Sequence, residues 1–78
     1  MNPDKYLVVV TFTGGNRLLT KNFFTNEILG RYQYKRRVMM IFPTALIHSI
    51  KYYEINLIRE QIIKPIPSYE FKIIREDL

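Results

Sequence analysis

Apolar and polar positions alternate most clearly near the start of the chain. Tyr6, Val8, Val10 and Phe12 share one side of a period of two, and Leu7, Val9, Thr11 and Thr13 share the other. The run is β-branched and aromatic, which predicts a strand. Its second side begins apolar and ends polar, so the strand is expected to be central at one end. Gly14-Gly15-Asn16 follows, and these residue types accept the positive φ that tight hairpin turns require. Arg17 to Phe24 then predicts the returning strand of a hairpin. Thr25 to Gly30 leaves two options open. Thr25 or Asn26 caps one helical turn that Gly30 ends, or the segment is a loop.

Arg31 to Phe42 reads as a third strand. Tyr32, Tyr34, Arg36, Val38, Met40 and Phe42 alternate with Gln33, Lys35, Arg37, Met39 and Ile41. The first half is polar on both sides and the second half apolar on both, as in a strand running from solvent into a core. Pro43 interrupts it. Thr44 to Ile63 fits both periods. Leu46, Ile50, Tyr53 and Leu57 make a helical stripe. As a strand, Leu46, His48, Ile50 and Tyr52 alternate with Ile47, Ser49, Lys51 and Tyr53. Isoleucine and tyrosine favour a strand over about 46–55, with room for a short helix near 54–64. Two prolines at 65 and 67 break the chain. Tyr69, Phe71 and Ile73 then alternate with Glu70 and Lys72, which predicts a half-buried last strand.

The expected fold is therefore all-β or β-rich: a small, strongly bent five-stranded antiparallel sheet. The order of hairpin, irregular link, long third strand, Pro-marked corner and further strands resembles the layout of small barrels of the SH3 and Sm type. That resemblance is architectural and implies no function of its own.

Length and composition narrow the classes. Seventy-eight residues make one domain, 47% hydrophobic, with six Tyr and five Phe, enough for a core and too apolar for disorder. A chain this short buries only about 60% of its unfolded surface. Small domains gain stability from disulfides, metals or a second subunit. With no Cys and one His, a disulfide is excluded and a structural zinc site is not expected. No apolar run reaches the roughly 18 residues of a membrane helix, and no secretory signal is visible. A cytoplasmic protein without membrane attachment is the expectation.

The net charge of +5 lies in the first half. Residues 1–39 hold seven basic and two acidic residues, and residues 40–78 hold five of each. Arg31-Tyr32-Gln33-Tyr34-Lys35-Arg36-Arg37 concentrates four cations with two aromatics and no acid. Nucleic-acid binding uses this mixture, with cations for phosphates and flat rings for bases. In a strand, Tyr32, Tyr34 and Arg36 would form a stacking row, which Arg17 and Lys21 would extend if strands two and three are neighbours. The alternative is that the cations only keep an edge strand soluble. Met39, Met40, Ile41 and Phe42 form the second candidate surface, either a central core strand or a contact with another chain.

Catalytic chemistry is not evident. His48 and Ser49 are adjacent, so their side chains diverge in a strand. Carboxylates are scattered, and Gly14-Gly15-Asn16-Arg17 lacks the spacing and Lys-Ser/Thr of a phosphate loop. The expected function is a small non-catalytic binding domain without cofactor or small-molecule substrate. It would act as a protein-interaction or accessory (inhibitor) module, with a second copy (a homodimer) or another protein as its partner. The alternative is nucleic-acid binding through residues 31–37.

Overall fold

A computed structural model describes residues 4–58 and 68–77. They form β1 (Tyr6–Gly14), β2 (Arg17–Thr25), α1 (Arg31–Ile41), β3 (Leu46–Ile58) and β4 (Ser68–Asp77). The strands make one open antiparallel sheet in the order β2-β1-β3-β4. The chain is β-rich as expected. Among the described residues there are four strands rather than five, and the sheet does not close into a barrel.

The β1–β2 hairpin forms where the first strand and the glycine turn placed it. Gly14 pairs with Arg17 across a two-residue loop, and Gly15 has φ 60°. Glycine takes that conformation without the Cβ clash other residues meet. In the following link, the Thr25 hydroxyl accepts from the Glu27 N–H at 3.2 Å and donates to the Glu27 carbonyl at 2.8 Å. This local turn resolves the ambiguity of 25–30 in favour of a loop.

Residues 31–41 are a helix, not the third strand that their alternation suggested. Arg, Gln, Lys and Met all have good helix propensity. A helix lying on a sheet needs only a narrow buried stripe, which Tyr34 and Val38 supply at i and i+4. Gly30, expected to end a helical turn, is instead the N-cap of this helix. No acid lies in its first turn and no base in its last. Its four cations therefore do not complement the helix dipole, and packing on the sheet holds it.

The core lies between α1 and one sheet face. Val8, Val10 and Phe12 of β1, Ile50 and Tyr52 of β3, and Tyr34 and Val38 of α1 are buried there. Leu19 and Phe23 of β2 pack at its edge. Aromatic contacts cross it from strand to helix to strand. Phe23 and Tyr34 rings are 5.5 Å apart, and Tyr34 meets Tyr52 edge-on at 6.1 Å.

β3 is a strand over 46–58, so the helix considered near 54–64 is absent over 54–58; residues 59–64 lie outside the described part. Its sides are not those of a simple period of two. Phe12 pairs with Ile47 but Thr11 pairs with Ser49, which leaves His48 as an extra residue in a bulge. The bulge exchanges the faces. Ile47, Ile50 and Tyr52 lie opposite β1 residues of the helix side, whereas Leu46, Ser49, Lys51 and Tyr53 lie opposite those of the other side. A second bulge places Ile74 as the extra residue of β4, between the pairs Tyr52–Arg75 and Tyr53–Ile73.

Candidate functional site

The sheet has two unlike faces. One is covered by α1 and ringed by cations. The other is covered by nothing among the described residues, and it carries most of the exposed apolar surface.

On the uncovered face, the register aligns Phe24, Leu7, Tyr53 and Ile73 in one row across all four strands. Ile55 and Phe71 form the next row on β3 and β4. Phe24 is 57% exposed, Phe71 49% and Ile73 51%, and Tyr69 is similarly open. A depression of about 170 Å³ lies on this face between Phe24, Ile55, Tyr69 and Phe71, with Asp4 among its lining residues. Toward the other end, the next two rows are polar, and the last, Leu18–Thr13–Leu46, again carries two exposed leucines. Val9 stands between Asn22 and Lys51, and Thr11 between Thr20 and Ser49. Lys51 and Glu76 oppose each other across β3 and β4, with Nζ 4.0 Å from the carboxylate.

The last strand thus has the alternation expected of it, but its apolar side is not half-buried within the chain. Tyr69, Phe71 and Ile73 point to the open side. Sequence reasoning missed this surface. Its signal was there in the apolar start of the second side of β1 and in the alternation of β4, read as core rather than as surface.

The candidate nucleic-acid residues divide. Arg17 and Lys21 pair with Gly14 and Val10, so they lie on the helix side of β2, an edge strand. Arg31, Tyr32, Lys35, Arg36 and Arg37 are on α1, and all but the half-buried Lys35 are exposed. Helical spacing puts Tyr32 and Arg36 together on the outer surface, as the strand reading also required, but at i and i+4. Tyr32 sits between two cations. The Arg31 guanidinium is 5.3 Å and the Lys35 ammonium 5.8 Å from its ring centroid. Hydrogen bonding and charge from Arg31, with Lys35 adding to it, hold the Tyr32 phenol below its ordinary pKa. Arg37 reaches over Phe23 at 6.0 Å.

Tyr34 leaves this set. It is fully buried, and its hydroxyl accepts the Leu29 N–H at 3.1 Å. The stacking row of Tyr32, Tyr34 and Arg36 therefore does not exist, because the helix turns Tyr34 inward. Met39, Met40 and Ile41 end the helix in solvent, Met40 with 83% of its surface open. Phe42 turns back and packs on Phe12, with centroids 5.2 Å apart. The apolar stretch 38–42 is thus neither a central strand nor one continuous surface.

His48 has a partner that adjacency in sequence did not reveal. Its Nε2 is 2.6 Å from the Thr13 hydroxyl on an exposed part of the sheet. Nucleophile activation needs a third group that orients the imidazole. No other hydrogen bond to this ring is present among the described residues, so the pair is half of such an arrangement. Among the described residues, no three His, Asp or Glu side chains cluster as a metal site would require. No described helix is long and apolar enough to cross a membrane.

The β4 edge is held by a cluster around Tyr52. Its hydroxyl donates to Asp77 Oδ2 at 3.1 Å, and the Arg75 guanidinium lies 4.1 Å from its ring centroid. Arg75 also reaches Asp77 at 3.5 Å. Burial raises the Tyr52 pKa above its ordinary value.

The chain's relationships leave the site to be read from its own geometry: no family model, no curated protein and no solved structure matches it.

Proposed function

We propose that this chain is a protein-interaction module that works through the uncovered sheet face. The observation that carries the reading is the row Phe24–Leu7–Tyr53–Ile73, extended by Ile55 and Phe71, on a face opposite the only described helix. A one-sided antiparallel sheet that faces water is expected to alternate apolar-in and polar-out. Here the outward side is itself apolar over half its length. Contiguous open apolar surface of this kind marks contact sites.

A photo-crosslinking experiment tests it. A benzophenone amino acid in place of Phe71 is expected to give a discrete protein adduct in the cells that express the chain. The same group in place of Gln33, on α1, is expected to give none. Adducts at 33 alone, or at neither position, would remove the reading.

A second reading, nucleic-acid binding, rests on one observation. Arg17, Lys21, Arg31, Lys35, Arg36 and Arg37 lie on the helix-bearing elements or on the helix side of β2, with Tyr32 exposed among them. Such a surface would hold phosphates by charge, and its affinity would fall steeply with salt. Titration of labelled single- and double-stranded oligonucleotides is the test. Binding at about 50 mM salt that is lost near 200 mM, and that Lys35→Glu with Arg36→Glu weakens at least tenfold, would support it. Tyr32→Ala is the variant for stacking; Tyr34→Ala would only damage the core. Absence of binding at low salt sinks this reading.

A further inference from the structure

Three properties of the apolar face left open among the described residues bear on what would occupy it. We infer that the occupant is a second copy of this chain, joined sheet to sheet about a two-fold axis. The inference rests on the reading that this face is the interaction surface.

The first property is area. Phe24, Tyr69, Phe71 and Ile73 are each about half exposed. With ~200 Å² for a fully exposed large side chain, they leave on the order of 400 Å² of apolar surface open. Leu7, Val9, Tyr53 and Ile55 are partly exposed on the same side and add to it. A stable dimer of ordinary size buries about 800 Å² per partner, of which roughly two-thirds is apolar in homodimers. The face supplies about that much.

The second property is charge. A two-fold contact sets a patch against itself, so the patch must be self-complementary. Any surface with the chain's excess of positive charge would repel its own image. On the uncovered face, Lys51 and Glu76 balance each other, and Asp4 at the depression adds one negative charge rather than a positive one. The cations of α1 and the helix side of β2 would point outward, away from the partner copy. Two chains of charge +5 can therefore meet on this face with the basic clusters of the described residues kept apart.

The third property is the sheet edge. An open sheet can also grow by pairing at its outer strands. β4 is interrupted by the bulge at Ile74 and carries Glu70, Lys72, Arg75, Glu76 and Asp77. Bulges and charges are the usual means of blocking edge pairing. These features act against pairing at β4; the other edge, β2, has an unbroken register and carries only Arg17 and Lys21 as charges. Face-to-face packing, with two twisted sheets about 10 Å apart, is the arrangement that buries the apolar rows. It also gives a small domain a second apolar layer, which its described residues do not provide.

Analytical ultracentrifugation of the full chain from about 1 to 200 µM decides the matter. Apolar association should give a dimer that persists or tightens between 0.1 and 0.5 M salt. Phe71→Glu is expected to weaken it at least 30-fold, the effect of setting an unpaired charge into an apolar contact. Met40→Glu, on the exposed helix end, should leave it unchanged. Circular dichroism and the melting temperature of dilute protein show whether Phe71→Glu is folded, and Ile73→Ser serves as a second, milder variant. A wild-type chain that stays monomeric throughout overturns the inference. So does a dimer that Met40→Glu breaks and Phe71→Glu does not. A monomer whose residue 71 crosslinks to a different protein overturns the second copy while leaving the face as an interaction surface.

Discussion

Tyr34→Ala is expected to bring the domain to the edge of unfolding. Tyr34 is fully buried at the centre of the aromatic path from Phe23 to Tyr52. Removing a large buried aromatic side chain costs about 3–5 kcal/mol. A 78-residue domain has only about 4–12 kcal/mol in all. Tyr34→Phe keeps the ring and removes the acceptor of the Leu29 N–H, a loss of about 1–3 kcal/mol if that donor finds no water. Tyr32→Ala should change stability by no more than ~0.5 kcal/mol, as exposed positions do. Urea denaturation of the three variants checks this. The comparison also separates helix from strand at 31–41. In a strand, residues 32 and 34 point the same way, and their truncations would cost alike. In the helix they differ several-fold.

Tyr52→Ala should be nearly as damaging. It opens the core and also releases the last strand, because Arg75 and Asp77 of β4 are both held by this side chain. About 3–5 kcal/mol is expected, with hydrogen-exchange protection lost first along β4. Tyr52→Phe separates the hydroxyl from the ring and should cost about 1 kcal/mol near neutral pH. It also carries a pH signature. Burial raises the phenol's pKa in the folded chain, so at alkaline pH the folded state holds this proton more firmly than the unfolded one. The associated stability is fully present below the ordinary tyrosine pKa of about 10. It is lost as pH rises from there through the folded value. Wild type should therefore lose stability above about pH 10 more steeply than Tyr52→Phe, as measured by urea midpoints between pH 8 and 11. Equal slopes would mean that Tyr52 ionises in the folded chain as readily as in the unfolded one.

These two tyrosines mark how far the fold was legible. The first hairpin was readable because two local signals agree: a β-branched and aromatic run over Tyr6–Thr13 and a Gly-Gly-Asn turn behind it. Tyr34 was not, since it belongs equally to a strand row with Tyr32 and Arg36 and to a helical pair with Val38. Local preference did not choose between them. The sheet chose, by offering the apolar side of Val8, Val10 and Phe12 as a place where one helical stripe could be buried. Tyr52 fell in a segment correctly read as a strand, but the bulge at His48 exchanged the sides of its first residues. A single inserted residue reverses every later assignment.

The two candidate surfaces follow the same division. That residues 31–37 are basic and aromatic is composition, visible in the chain. That Tyr34 points inward while Tyr32 stays out between Arg31 and Lys35 depends on the helix. Phe71 and Ile73 stand on the apolar side of an alternating strand, and alternation is also local. Whether anything covers that side is a property of the whole fold.

By itself, then, the order of residues determined the β-rich class, the hairpin, the strand character of 46–55 and 69–74, and the excess of positive charge in the first half. Each depends on backbone preference or charge within a few neighbouring residues. Tertiary structure decided the rest: helix at 31–41, the bulges that reassign faces, and which apolar side became core and which became surface. Burial depends on contacts between elements far apart in the chain. One helix can cover only one face of a four-stranded sheet, and α1 lies on the face of Val8, Val10 and Phe12.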